Sequence, residues 1–442
     1  MPRAARRDRS LQGRDARGPT EAPGGARVVV VGAGFAGGSF LRTLPAPLRR
    51  PGETLLIDRA DEHTFIPLIH EVAVGRVHPD TIRLPISPSR GAPHGFLRTQ
   101  VAGVDLEGKV LRTASGDVRY RYLVLAPGSV AAPPPENLRD GFQTFWSLGD
   151  ALELRGALNE AWREALRGGS RPGDLTVAIV GGGATGVELA SEIAVLFDYL
   201  RRRTVRKPAE EPRVVLFEAT DRLMGWLDPF FHRVAMEELG RLGVEVRLNT
   251  PVQNADDSGI AADGGRLPAR TRIWATGVRA APLVRDLPGE HDRGGRARVT
   301  EHLTLPDHPE VYVLGDGGAY EDPHLGPLAP VASLAVQQGP WVARDLKRRL
   351  RGASSRRGRP PFRFFDRGYA VSLGPESGAA VALGARLRGP AAQTLYRSIF
   401  LYYMKSRRGR LLTGADWAME RVGRVGFDAQ EADRRPSGPR ER

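Results

Sequence analysis

The chain has 442 residues, of which 41% are hydrophobic and 26% are charged, as in ordinary folded proteins. This length is enough for two or three globular units, each with its own core. The chain has no cysteine, which excludes disulfides, iron–sulfur clusters and electron transfer through a cysteine pair. The formal net charge of +14 indicates an anionic partner, and nucleic acid, acidic lipid and phosphate-bearing cofactors all fit that description.

The two ends of the chain differ in composition from the rest. Residues 1–26 are rich in arginine and poor in apolar side chains, which predicts a disordered basic tail, and residues 429–442 predict a second disordered tail. The sequence contains neither a long apolar run typical of a membrane-spanning helix nor the apolar core of a secretory signal. We therefore expect a cytoplasmic protein.

Between the tails, short β-branched runs alternate with helical stretches, a pattern that predicts an α/β fold built around parallel sheets. Several of the runs end directly in glycine. The predicted strands are Arg27–Val31, Thr54–Ile57, Tyr122–Leu125, Thr176–Val180, Val214–Phe217, Arg272–Trp274 and Val311–Leu314.

The first glycine fingerprint follows the first predicted strand and has the pattern Gly32-x-Gly34-x-x-Gly37. Gly32 permits a tight turn, Gly34 lets the backbone approach a pyrophosphate, and Gly37 lets helix and strand pack closely. The N-terminus of the next helix offers free N–H groups to phosphates. Asp58, at the end of the second predicted strand, is placed to accept hydrogen bonds from a ribose.

A second fingerprint repeats this arrangement with Gly181, Gly183 and Gly186, and Glu218 closes the strand that follows. A carboxylate at Glu218 favours NADH, because it would repel the 2′-phosphate of NADPH. Each copy combines a strand, a glycine turn, a helix and a later acid. The sequence therefore predicts two Rossmann-like dinucleotide-binding domains.

With both fingerprints placed, the sequence resembles the two-dinucleotide-binding flavoproteins of the pyridine nucleotide-disulfide oxidoreductase type. The turns Ala126-Pro-Gly128 and Thr276-Gly277 are similar to the crossings between the two domains of that family, and Gly315-Asp316 is similar to its second FAD motif. The resemblance implies FAD and NADH as cofactors, with Asp316 near the ribityl hydroxyls. Further FAD contacts are expected at Phe35, Ala36, Arg59 and Val101.

Within this family, the chain is most similar to the type II NADH:quinone oxidoreductases. The segment from Thr64 to Gly75 and the segment from Pro330 to Gly339 carry this similarity. The resemblance implies transfer of hydride from NADH to flavin and of two electrons to a quinone, without proton pumping. It implies catalytic roles for Glu188, Gln337 and Gln338. The alternatives are that Glu188 only caps or pairs within its own helix and that the two glutamines are satisfied polar residues on a helix. Ser333 stands where the family has a glutamine.

The predicted organisation divides the chain into six parts. They are the tail 1–26, the first part of an FAD domain at 27–150, an NAD domain at 151–280, the second part of the FAD domain at 281–350, a C-terminal region at 351–428, and the tail 429–442. Aromatic and apolar residues at helical spacing, followed by arginines, predict that residues 393–423 lie at a membrane surface. A helix packed on the protein's own sheet, or a homodimer element, is the alternative. The membrane prediction places the protein peripherally on the inner face of the cell membrane.

Two other functions fit the same residues. One is a soluble NAD(P)H-dependent reductase that passes electrons to a protein carrier such as a ferredoxin, with Ser333 marking a lost quinone site. The other is a non-catalytic flavin-bearing sensing module. No nucleic-acid motif accompanies the basic tails, so we do not expect a nucleic-acid partner. His63, His70 and His78 are spaced too loosely to predict a metal site. Disulfide and sulfide:quinone reductases are excluded because their chemistry requires cysteine.

Overall fold

The two predicted dinucleotide-binding units are both present in the computed structural model. It describes residues 25–86, 94–168, 171–256, 259–262, 265–351, 359–404, 406–420, 423–425 and 427. The predicted N-terminal tail up to residue 24, the C-terminal tail 429–442 and most of the basic linker at 351–361 lie outside this part of the chain. Ala26, predicted as tail, is the first residue of a strand.

The first sheet surrounds the first glycine fingerprint and gathers strands from distant parts of the chain. Its spatial order is Gly95–Arg98, Thr54–Asp58, Ala26–Val31, Val118–Leu125, Val110–Thr113 and Val101–Asp105. The late strand Val311–Val313 pairs in parallel with Val118–Leu125, so the chain returns to this sheet after building the second unit. Val28, Val29 and Val30 are fully buried at its centre.

The second sheet is entirely parallel and surrounds the second fingerprint. Its order is Gln143–Thr144, Thr271–Trp274, Thr176–Val180, Arg213–Phe217 and Glu245–Arg247. A three-stranded antiparallel sheet of Val252–Asp256, Gly259–Ala262 and Gly265–Leu267 packs beside it. The short pair Ser129–Ala131 and Val278–Ala280 joins the two predicted crossing turns. The seven predicted strands are confirmed to within a few residues at their ends.

Shorter pairs and single turns complete the secondary structure. The two-residue and three-residue strands pair as Glu62–Thr64 with Arg83–Pro85, Ala297–Arg298 with Gly318–Ala319, and Glu321–Asp322 with Gly326–Pro327. The 3₁₀ turns are Ala46–Arg49, Ile66–Leu68, Pro79–Thr81, Glu136–Gly141 and Gly315–Gly317. The α-helices of the described residues are α1 (Phe35–Arg42), α2 (Ile69–Ala73), α3 (Leu148–Leu166), α4 (Ala184–Arg203), α5 (Pro229–Arg241), α6 (Pro282–Arg285), α7 (Ala332–Leu350), α8 (Pro390–Tyr403) and α9 (Arg407–Met419).

The same steric constraint fixes the strand-to-helix turn in both units. Gly32 has φ of +92°, and Gly181 has φ of +115°, a backbone region that residues with a side chain rarely adopt. A Cβ added to Gly37 would lie 1.9 Å from the Gly32 carbonyl oxygen, and one added to Gly186 would lie 1.9 Å from the Gly181 carbonyl oxygen. Helices α1 and α4 can therefore contact their turns only through glycine.

The C-terminal region consists of a small sheet and two helices that share a hydrophobic core with the second unit. The strands Gly368–Ser372, Gly378–Ala382 and Ala385–Arg388 form an antiparallel sheet on which α8 packs. Tyr396 of α8 and Trp417 of α9 are buried. These contacts correspond to the alternative of a helix packed on the protein's own sheet. None of the described helices is both long and apolar enough to cross a lipid bilayer.

A buried arginine connects this C-terminal region to both dinucleotide-binding units. The side chain of Arg76, which follows α2, is fully buried and contacts Glu192 of α4. Its Nε and Nη2 atoms donate to Glu420 at 2.9 and 2.7 Å, and Glu71 Oε1 lies 3.9 Å from Nη1. Burial lowers the pKa of Arg76, but the carboxylates of Glu192, Glu71 and Glu420 outweigh it and raise the pKa overall. This ion cluster was not predicted from the sequence.

We predict that Gly37→Ala destabilises the protein by about 1–3 kcal/mol, because the added methyl group overlaps the Gly32 carbonyl and must push α1 from its strand. Gly156→Ala is the matched control. Gly156 lies inside α3 with no atom within 4 Å of an added Cβ, so this change should be neutral or stabilise by up to about 1 kcal/mol. Urea unfolding of both variants measures the difference. Equal stabilities would contradict the close-packing argument.

Candidate active site

One cavity of about 780 Å³ lies where the first unit, the second unit and the C-terminal region meet. We call it the main cavity. Its walls from the first unit include Gly32, Gly34, Phe35, Ala36, Asp58, Arg59, Ala126, Gly128, Gly315 and Asp316. The second unit contributes Ala184, Thr185 and Glu188, helix α7 contributes Ala332 and Ser333, and α8 contributes Tyr396 and Phe400 among others. Residues separated by hundreds of positions thus share one space.

The first glycine loop leaves room for a phosphate group. Gly34 precedes α1 without a capping side chain, so the first N–H groups of the helix have no partner from that residue. The nearest atom to a Cβ added at Gly34 is His63 Cε1, at 3.9 Å. This open space beside a helix N-terminus suits the pyrophosphate of a dinucleotide.

Asp58 closes the same cradle. Its Oδ2 accepts a hydrogen bond from the Ala33 N–H at 2.9 Å, and its Oδ1 accepts one from the Ala60 N–H at 3.0 Å. Each carboxylate oxygen can accept a second hydrogen bond, so Asp58 retains capacity for ribose hydroxyls while it fixes the loop.

The second loop has the same local geometry. Gly183 precedes α4 without a capping side chain, and a Cβ added there would meet no atom within 4 Å. Glu218 accepts hydrogen bonds from the Gly182 N–H at 2.7 Å and from the Thr220 N–H at 2.8 Å. Asp58 and Glu218 therefore occupy corresponding positions in the two units, as their places in the sequence predicted.

Asp316 lies deep in the main cavity at the end of the strand Val311–Val313. Ser129 Oγ donates a hydrogen bond to Asp316 Oδ2 at 2.6 Å. Burial raises the pKa of Asp316, while this hydrogen bond and the charge of Arg296 lower it by less. A buried carboxylate at the cavity wall can accept hydrogen bonds from ligand hydroxyls.

Gln337 and Gln338, predicted to meet a quinone, do not line the main cavity. Gln338 is fully buried, and its Oε1 accepts a hydrogen bond from the Gly315 N–H at 2.6 Å. Gln337 Nε2 donates to the Phe365 carbonyl at 3.0 Å, and its Oε1 accepts from the Phe365 N–H at 3.1 Å. Both side chains lie outside this wall, and Gln338 Nε2 is buried without a hydrogen-bond partner among the described residues, so their contact with a headgroup stays a prediction. Ser333 of the same motif does line the main cavity.

Glu188 presents a carboxyl group to the main cavity with only 14% of its side chain exposed. Burial raises the pKa of Glu188 to about 8, and the hydrogen bond that its Oε1 accepts from the Ser372 N–H, at 3.1 Å, lowers it by less. Glu188 is therefore largely protonated at neutral pH. The partner Ser372 lies outside the helix of Glu188, in the C-terminal region.

Two cavity-lining residues with no role predicted from the sequence complete this cluster. His70 Nδ1 lies 3.9 Å from Glu188 Oε2, and His70 Nε2 lies 3.3 Å from the Tyr396 hydroxyl. Burial and the nearby charge of Arg76 lower the pKa of His70 to about 3, so the imidazole is neutral. His70 lies in the segment from Thr64 to Gly75 that resembles the type II NADH:quinone oxidoreductases, and this resemblance could have indicated a place near the site. Tyr396 carried no comparable signal.

Several residues predicted to bind the cofactors do not line the main cavity. Val101, Gly37, Gly181, Gly183, Gly186, Glu218, Thr276 and Gly277 lie outside the wall of the main cavity. Gly181 and Thr276 are nevertheless adjacent, because a Cβ on Gly181 would lie 3.0 Å from the Thr276 Cα. In the described part of the chain, no group of three or more histidine, cysteine, aspartate or glutamate residues has a geometry suited to a metal ion.

Comparisons with known proteins agree with this geometry. Residues 26–339 match the family described as pyridine nucleotide-disulphide oxidoreductase. The chain is 31% identical to the type II NADH:quinone oxidoreductase Ndh of Mycobacterium tuberculosis, over 89% of this chain and 87% of that protein. It is 26% identical to a type II NADH:quinone oxidoreductase of Staphylococcus aureus, over 84% of this chain and 94% of that protein.

Solved structures show the same fold at lower sequence identity. NDH2 from Plasmodium falciparum, solved in complex with NADH, aligns with a TM-score of 0.78 and 16% identity, over 91% of this chain and 99% of that chain. The predicted α/β fold with two Rossmann-like units is thereby confirmed. The chain belongs to the pyridine nucleotide-disulphide oxidoreductase family and, within it, to the type II NADH:quinone oxidoreductases.

Proposed function

We propose that this chain is an FAD-dependent NADH dehydrogenase that reduces a quinone and pumps no protons. The overall reaction consumes NADH, one proton and the quinone, and it yields NAD⁺ and the quinol. The observation that carries the proposal is the main cavity, which brings Asp316 of the first unit, Glu188 of the second unit and Ser333 of α7 to one space. Family membership supports the same assignment.

The first unit would hold FAD. Gly32, Gly34 and the N-terminus of α1 would receive the pyrophosphate, Asp58 a ribose, and Asp316 the ribityl hydroxyls. When bound, FAD supplies the acceptor for hydride from NADH and the donor of two electrons to the quinone. The open space at Gly34 and the buried carboxylate of Asp316 fit this group.

The second unit would hold NADH. Gly181, Gly183 and the N-terminus of α4 correspond to the first cradle, and Thr185 and Glu188 of α4 reach the main cavity. Glu218 stands where an acceptor for ribose hydroxyls is expected. Its negative charge favours NADH over NADPH.

Glu188 would supply a proton during quinone reduction. Its carboxyl group is protonated at neutral pH and lies at the cavity wall, where a quinone oxygen gains a proton as it is reduced. His70 and Tyr396 both lie beside the carboxyl group of Glu188 in this corner of the site, and the imidazole of His70 is neutral.

The quinone would enter between α7 and α8. Ala332 and Ser333 line one side of this part of the cavity, and Leu395, Ile399 and Phe400 give it an apolar opposite side. Ser333 lines the main cavity whereas Gln337 and Gln338 do not, so the hydroxyl of Ser333 is the better candidate to donate to a quinone carbonyl.

We further propose that the protein binds the membrane surface peripherally, on the inner face of the cell membrane. Tyr402 of α8 and Leu411, Leu412 and Met419 of α9 are exposed. The exposed arginines Arg407, Arg408 and Arg410 lie beside them. Apolar and cationic side chains in this arrangement suit an anionic interface. Formation of a homodimer through the same exposed apolar side chains of α8 and α9 is a separate proposal.

The purified, flavin-loaded protein should oxidise NADH rapidly when a water-soluble quinone is present and slowly when it is absent. It should use NADPH less efficiently, because Glu218 repels a 2′-phosphate. The decrease in nicotinamide absorbance over time, measured at each substrate concentration, gives the rates of NADH and NADPH oxidation. Turnover that stalls with quinone, leaving the flavin reduced, but resumes with ferredoxin as the electron acceptor would instead indicate the soluble reductase. Absence of bound flavin would contradict the proposal altogether.

The turnover number should fall as the pH rises through about 8, because Glu188 loses its proton there. Glu188→Gln should remove this limb of the profile and lower the rate by about 10²–10⁴-fold, the contribution of a positioned acid. Glu153→Gln, at an exposed position of α3, is the control and should leave the profile unchanged. A limb near pH 8 that persists in Glu188→Gln would assign the titration to another group.

A further inference from the structure

A second cavity, of about 410 Å³, lies in the groove between α1, α7 and the loop 362–367. We call it the arginine pocket. Four arginines line it, together with aromatic and small side chains, and none of its lining residues is acidic. They are Ser39, Arg42, Thr43, Val336, Gln337, Pro340, Trp341, Arg344, Phe362, Arg363, Arg367, Tyr402 and Tyr403.

The four arginines of the pocket are exposed, and no ion pair of theirs is found among the described residues. By contrast, the buried Arg76 and the half-buried Arg359 pair with carboxylates. Within the described part of the chain, Arg42, Arg344, Arg363 and Arg367 make neither a hydrogen bond through the side chain nor an ion pair within 4.0 Å. Desolvation by the surrounding protein lowers the pKa of the Arg42 guanidinium, which an anion bound beside it would offset.

The walls of the arginine pocket are held in place by specific contacts. Gln337 clamps the loop to α7 through two hydrogen bonds to the backbone of Phe365, at 3.0 and 3.1 Å. Tyr320 donates to the Phe362 carbonyl at 2.6 Å. Helices α1 and α7 approach so closely that a Cβ on Gly339 would lie 2.2 Å from Ser39 Oγ. These contacts fix the backbone of the loop that carries Arg363 and Arg367, which line the same cavity as Arg42 and Arg344.

We propose that the arginine pocket binds the phosphate group of an anionic phospholipid. Guanidinium groups pair with phosphate oxygens in a bidentate manner, and several around one space favour a phosphate over a smaller anion. Pro340, Trp341 and Phe362 offer apolar contact to the glycerol part of the headgroup. Arg42 lies near the C-terminus of α1, where the helix dipole places a negative charge of about half an elementary charge. This charge repels an anion, but the positive charges of four guanidinium groups outweigh it.

The position of the pocket favours a lipid as the source of the phosphate. Arg367, Tyr402 and Tyr403 line both the arginine pocket and the main cavity, so a headgroup bound here would stand beside the proposed quinone entrance. Phe365, on the same loop, is 59% exposed, and Tyr402 is 61% exposed. Exposed aromatic rings beside unpaired cations are typical of a membrane interface. This choice of source rests on the proposed membrane association, whereas the phosphate site itself does not.

The experiment compares the full-length protein with Arg344→Gln/Arg363→Gln. The matched control is Arg112→Gln/Arg119→Gln, which removes the same charge from two exposed arginines of the first sheet that line neither cavity. Isothermal titration calorimetry is run with dihexanoyl phosphatidylglycerol below its micelle concentration and, separately, with inorganic phosphate. Co-sedimentation with phosphatidylcholine vesicles, with and without phosphatidylglycerol, measures partitioning. Thermal unfolding confirms that each variant is folded.

We expect the short-chain lipid to saturate one site in the wild type and in the control, and to bind the pocket variant about thirtyfold more weakly, from two lost arginines. Partitioning onto phosphatidylglycerol vesicles should fall to a similar extent. Inorganic phosphate that binds as tightly and competes would overturn the lipid as the source and leave a site for free phosphate. Equal lipid binding by the pocket variant and the wild type would overturn the site. Loss of NADH:quinone turnover would affect none of these binding results, so the two proposals fail separately.

Discussion

The buried guanidinium of Arg76 is the constraint on which the arrangement of the three parts depends. It contacts Glu192 of the second unit, and two of its nitrogens donate to Glu420 after α9. Such a cluster costs desolvation for each charge, so it is tolerated only when every partner is present. Loss of one partner of a buried ion pair costs about 3–5 kcal/mol. The cluster therefore fixes how the C-terminal region sits on α4 and α2 rather than adding much net stability.

That placement determines the chemistry of the main cavity. Glu420 also accepts hydrogen bonds from Arg397, at 2.9 and 3.0 Å, and Arg397 is the neighbour of Tyr396 on α8. With α8 held in this way, Tyr396 and the strand bearing Ser372 cover Glu188. Burial under this cover is what raises the pKa of Glu188 to about 8. The proposed proton donor thus belongs to the second unit, while its acidity is set by the C-terminal region.

The sequence predicted most of the fold because glycine turns and β-branched strands are local signals. Both fingerprints, Asp58, Glu218 and Asp316 lie where the pattern placed them, since each is fixed by its distance from a strand end. Contacts between distant segments had no such signal. His70, Tyr396 and the Arg76 cluster depend on how α2, α4 and α8 pack, and single charged or aromatic residues occur throughout the sequence. Gln337 and Gln338 lie outside the wall of the main cavity for a related reason, since a motif on a helix does not fix which way each side chain points.

The most direct test of this account is the pH profile of turnover in Glu420→Ala, with flavin bound and quinone in excess. This change removes the partner of Arg76 and Arg397, and Glu420 is not among the groups that set the pKa of Glu188 directly. If the C-terminal region creates the burial of Glu188, loosening it admits water, and the limb near pH 8 should move to lower pH. A folded Glu420→Ala protein whose limb stays near pH 8 would contradict the claim that the C-terminal region sets the acidity of the active site.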